Sequence, residues 1–171
     1  AERVFPRWSD ILHQTRTDGE LLPSVSRTMH FRVTVRDNRS GGGGVSSDDA
    51  ELIVHEDAGP FRVSQPAGTA IASHLMDVQW DVAGTDQPPI DSQKVHILLS
   101  TDGGQSFDET LASGSPNDGQ ELVVVPSTAS NNLRILVQSA DNVFFAVNRS
   151  NFRIDNAEIP VYLTRHAEKG T

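Results

Sequence analysis

The chain has no cysteine, two lysines, one tyrosine, and no apolar stretch approaching ~18 residues. Each shortage removes a class of explanation. Without thiols there is no disulfide framework, no thiolate zinc site and no cysteine nucleophile, and the redox compartment leaves no mark on the sequence. Without a long apolar run no helical membrane span is expected. Ala1-Glu2-Arg3 opens on neither a charged n-region nor an apolar h-region, so an export signal, if the parent has one, is expected outside this stretch. With a formal net charge of -9 and no cluster of Lys or Arg, the surface repels phosphates and anionic headgroups, which argues against nucleic-acid partners and membrane insertion.

Catalytic patterns are missing too. The six histidines (His13, His30, His55, His74, His96, His166) fall singly, with no His-Glu-x-x-His spacing for zinc. No Gly-x-Ser-x-Gly elbow accompanies the many serines. No catalytic residue is therefore expected, and no cofactor. Calcium is the one ion the acids suggest, with Asp48, Asp49 and Asp57 as candidates because hard cations want several oxygens from neighbouring loops. Glu56 and the Asp102/Asp108 pair are candidates on the same ground.

What is present reads as sheet. The 36% hydrophobic fraction is mostly Val, Ile, Leu and Phe, which fit a pleated, half-buried surface. From Arg27 to Asn38 the alternation is strict, Met29, Phe31, Val33 and Val35 on one face and Thr28, His30, Arg32, Thr34 and Arg36 on the other. The Gly41–Gly44 run joins that strand to a second alternating run over Ala50–His55, predicting a long hairpin. Two strands alone are marginal in water, so residues 1–57 read as the C-terminal part of a β-sandwich or as a hairpin that packs on the next unit, with Ala1–Ser26 as a packed loop allowing one helical turn around Trp8–Leu12.

Past the turn residues Glu56–Pro60, short strand-like runs recur: Phe61–Ser64, Leu75–Val82, Lys94–Ser100, Glu121–Val125, Leu133–Gln138, Val143–Val147 and Phe152–Ile154. That spacing predicts an all-β, immunoglobulin- or fibronectin-like sandwich over residues 58–156, with Trp80 in its core and residues 157–171 as a tail or linker. Two Asn-x-Ser sites, at Asn38 and Asn148, fit the glycan-acceptor pattern.

Ser100-Thr101-Asp102-Gly103-Gly104-Gln105-Ser106-Phe107 resembles the Asp-box hairpin of sialidases and many extracellular β-proteins. Its physics is local: Asp102 accepts backbone hydrogen bonds, Gly104 takes a positive φ and Phe107 packs beneath, with Ser100 at the start of a structural turn. A single copy argues against a propeller. Adjacent Phe144 and Phe145 point to opposite faces, and with Trp8 and Tyr162 they are the candidates for an exposed aromatic platform.

Three early segments (Arg3–Leu12, Leu22–Asn38, Gly59–Phe61) and later ones (Trp80–Thr85, Ile97–Gly104, Pro116–Gly119, Asn142–Phe145) together resemble the C-terminal accessory, Ig-like region of bacterial secreted reprolysin-type zinc metallopeptidases. The resemblance spans residues 3 to 155 and includes none of that family's zinc-binding helix. It implies a secreted or cell-surface, non-catalytic accessory module. Its implied partners are other domains of the parent chain and a protein or polysaccharide substrate. The alternative is a carbohydrate- or collagen-binding module built on the aromatic platform.

Overall fold

The computed structural model describes residues 4–37, 39–41, 43–67, 70–71, 75–126 and 130–154. Within them lie one short helix, α1 (Trp8–His13), and strands β1 (Arg27–Arg36), β2 (Val45–Val54), β3 (Arg62–Gln65), β4 (Ala70–Ile71), β5 (Leu75–Asp81), β6 (Lys94–Ser100), β7 (Glu109–Pro116), β8 (Gln120–Val124), β9 (Arg134–Ser139), β10 (Phe145–Val147) and β11 (Arg153–Ile154). The expected tail, with Tyr162, lies outside the described residues, as do His74, His166 and Asn38.

Two sheets form the body, one of order β10-β9-β6-β7 and one of order β3-β5-β8, with a two-stranded β11-β4 pair beside them. All pairings within the two main sheets are antiparallel, whereas β11 runs parallel to β4. The fold is thus the all-β sandwich the spacing predicts. Alternation explains the filling: Met76, Val78 and Trp80 from β5 meet Val95, Ile97 and Leu99 from β6 and Ile135 and Val137 from β9, all buried in one cluster with Phe152. Trp80 gives its indole N–H to Asn117 Oδ1 at 2.9 Å, so its one polar atom is satisfied inside the core.

The hairpin is longer than the alternation suggested. β2 begins at Val45, and β1 and β2 pair antiparallel without a slip from Arg27↔Val54 to Arg36↔Val45. Its sheet has only these two strands among the described residues. Val33 and Val35 are 66% and 64% exposed, so the apolar face that reads as a core face is open over its distal half. The proximal half is partly covered, with the Phe31 ring 5.7 Å from that of Phe5 in an edge-on contact.

Three differences from the sequence reading have physical causes. β7 has no clean alternation, being rich in Ser, Gly and Pro, and the register shifts between Val95 and His96 and between Ile97 and Leu98 where it pairs with β6. β4 is two residues long, too short for any periodicity to register. The opening stretch carries as α1 the one helical turn expected around Trp8–Leu12, and what differs is that Trp8 ties it to Gly104 in the β6–β7 loop of the sandwich.

Candidate functional site

β6 and β9 carry apolar residues on both faces, as strands covered on both sides do. Inward go Val95, Ile97, Leu99, Ile135 and Val137. Outward go Leu98 on β6 and Leu136 and Gln138 on β9, with Phe145 paired across from Gln138 on β10. α1 lies beside that outer face, with Trp8 against Phe145.

Four contacts hold the helix there. The Trp8 indole N–H donates to the Gly104 carbonyl at 2.6 Å. The Gln14 amide donates to the Arg149 carbonyl at 3.0 Å. Leu12 packs directly on Gly104. Arg134, nearly buried, donates to the Asn151 side chain at 2.5 Å and the Asn148 carbonyl at 2.6 Å, and reaches the Leu12 carbonyl at 3.4 Å. These Arg134 acceptors are all neutral, and burial pulls the guanidinium below its ordinary range.

The loop between β6 and β7 presents Gly104 and Phe107 to the helix, and its own side chains close it. Ser100 donates to Asp102 Oδ1 at 2.6 Å and accepts from the Gly104 amide at 2.8 Å. Asp102 Oδ1 also takes the backbone amides of Gln105 and Ser106 at 2.8 and 3.0 Å, and Oδ2 takes the Ser106 hydroxyl at 2.9 Å. The Ser100 hydroxyl, then the Ser106 amide, hold the Asp102 carboxyl far below the usual carboxylate range.

Along one side of α1 this arrangement leaves a groove of about 960 Å³. Trp8 stands between two rings, edge-on to Phe107 at 5.9 Å and tilted by 40° to Phe145 at 5.8 Å. All three are half-buried. Val4, Leu98 and Leu136 add aliphatic surface, and Gln105, Gln138, Ser9 and Ser106 add uncharged polar groups. The charged lining residues, Arg7 and Glu20, lie 3.4 Å apart as an ion pair.

Of the expected aromatic platform, Trp8 and Phe145 come together here. Phe144 does not: it turns to the other face and packs edge-on against Phe61 at 5.0 Å. Phe107, expected only beneath its turn, is the third ring of the groove. Gln138 gave no signal in the sequence beyond its place in the alternation of β9.

Of the acidic candidates, Asp102 and Asp108 share the Ser106 hydroxyl at 2.9 and 2.7 Å, whereas the hairpin acids are not brought together. Asp48 and Asp49 are neighbours on β2 and so face opposite ways, Asp49 being forked by Arg32 at 2.6 and 2.7 Å, and Asp57 lies in the turn that follows. No three His, Asp or Glu side chains cluster as a metal site among the described residues. His30 sits 3.2 Å from Glu51 across the hairpin, and His96 meets Ser113 at 3.0 Å. Asn148 is 1% exposed, with Oδ1 accepting from the Ile135 amide and Nδ2 donating to Ser150, so the folded chain cannot offer it to a glycan. No described helix is long and apolar enough to cross a membrane.

Compared with protein families and with curated proteins, the chain matches none.

Proposed function

We propose that this chain is a non-catalytic accessory module of a secreted or cell-surface bacterial protein, and that it binds an extended substrate or surface polymer in the groove beside α1. The carrying observation is the convergence of Trp8, Phe107 and Phe145, from three separate parts of the chain, on one open groove. Half-buried aromatics with one wet side are what ligand and interface sites favour. The resemblance in segment order, from Arg3 to Asn142–Phe145, supports a zinc metallopeptidase as the parent, with its catalytic helix elsewhere.

Substrate binding, rather than domain spacing, is favoured because a spacer has no need of a groove lined by three rings. The test is a screen of the purified chain against immobilised polysaccharides and collagen peptides, alongside peptidase and glycosidase assays. Binding by the wild-type chain, weakened at least about tenfold by Trp8→Ala, is the expected result. Hydrolysis by the isolated chain, or binding that ignores Trp8→Ala, overturns the reading.

A further inference from the structure

The chemistry of the groove narrows its ligand. Its charged residues, Arg7 and Glu20, pair with each other at 3.4 Å, so the lining carries no net formal charge. The surrounding chain carries a net charge of -9, which repels acidic polymers. A cationic ligand, conversely, finds no separate carboxylate among the lining residues.

What the groove does offer is a set of ring surfaces and a planar amide. Gln138 lies near the C-terminal end of β9, between His96 on β6 and Phe145 on β10. It is half-buried, and its side-chain amide has no hydrogen-bond partner among the described residues. An amide so placed can donate and accept at once, and leaving it unanswered beneath a ligand costs binding free energy.

From this arrangement we infer that the groove takes an uncharged saccharide, its apolar C–H face packing against the Trp8–Phe107–Phe145 cluster while Gln138 meets two adjacent hydroxyls. Vicinal hydroxyls present a donor and an acceptor about as far apart as the two ends of a carboxamide, and the C–H face of a pyranose is apolar enough to lie on a ring. A proline-rich or collagen-like peptide would use the rings equally well. It has few free N–H groups and would leave the amide's acceptor end unmet. Gln138 is then the residue that sets specificity, and Trp8 the one that supplies area. This inference rests on the groove being the binding site.

The two tryptophans make a direct test, since Trp8 lies in the groove and Trp80 in the core. Indole N–H signals of the ¹⁵N-labelled chain are followed by NMR during titration with three probe sets. These are neutral oligosaccharides (hexamers of β-1,4-glucose, β-1,4-N-acetylglucosamine and β-1,4-mannose), a proline decamer, and hexagalacturonate. Saturable movement of the Trp8 signal with a neutral hexamer, Trp80 staying still, is expected. Gln138→Ala should weaken it about tenfold, and Gln138→Glu should weaken it as well. The unmoved Trp80 signal certifies that each variant is folded.

A response to the proline decamer or hexagalacturonate alone overturns the saccharide inference while leaving the groove as a binding site. A Trp8 signal that no probe moves overturns both.

Discussion

The hairpin and the sandwich are built from the same alternating pattern and end in opposite physical states. In the sandwich, β5, β6 and β9 pair inward faces with one another, and Val78, Val95, Ile97, Ile135 and Val137 lose all contact with water. In the hairpin, ten residue pairs keep perfect register, yet every residue of β2 before Leu52 is exposed. Periodicity therefore specifies pairing and register, and a second layer specifies stability. The stretch from Phe5 to Trp8 touches both units, Phe5 meeting Phe31 of the hairpin and Trp8 meeting Phe107 and Phe145 of the sandwich.

The largest expected effect that sharpens the contrast is Trp80→Ala. It empties a fully packed site and strips Asn117 Oδ1 of its donor, for a loss of about 3–5 kcal/mol in denaturant unfolding. Amide exchange should quicken throughout β5, β6 and β9 and stay unchanged in β1 and β2. A loss under about 1 kcal/mol would mean the core is not where the sandwich's stability resides.

Next in size is Gly104→Ala. Gly104 has φ +94°, and a Cβ there would stand 2.6 Å from Leu12 Cδ2. Backbone strain of about 1–3 kcal/mol is expected, together with displacement of α1, read as a shift of the Trp8 indole signal. A variant in which that signal is unmoved would mean that α1 is not seated by this contact.

Much of the contrast was legible in the residues, and the illegible part has a common cause. Trp80 between Val78 and Val82, the run Lys94–Ser100 and the ten-residue strand from Arg27 to Arg36 announce themselves because alternation is a local property. The groove is not local. Trp8 and Gly104 are joined across 96 positions, and nothing in the opening stretch names the loop on which it packs. The one available signal was indirect: Leu98 and Leu136 are apolar on what would otherwise be a wet face. β7 escaped for the opposite reason, because bulges and small residues erase the period that marks a strand.

A smaller effect separates two carboxylates by their surroundings. Asp102 is held down by the Ser100 hydroxyl and the amides of its own turn, Asp49 chiefly by Arg32 on an open ribbon. Both folded values lie below the unfolded one. Each therefore contributes stability fully present above about pH 4, lost as pH falls toward the folded value. Asp102→Asn should lower the melting temperature at neutral pH, and the gap from wild type should close below about pH 4. Asp49→Asn should show the same sign with a smaller gap, since its pair is wet. A gap at Asp102 that does not depend on pH would mean that the turn is held by shape and not by charge.

The smallest expected effect is also the one most able to break the comparison. The Arg32 and Asp49 side chains form a two-pronged pair at 2.6 and 2.7 Å, yet they are 66% and 60% exposed. An ion pair in water gains little over two solvated charges, so a double-mutant cycle of Arg32→Ala and Asp49→Ala should give a coupling below about 1 kcal/mol. It should fade further in 1 M salt, where the screening length drops to about 3 Å. A coupling above about 2 kcal/mol that survives salt requires the pair to be shielded from water. The hairpin would then be covered in solution by a layer of its own, and its two faces would no longer stand as the wet counterpart of the sandwich.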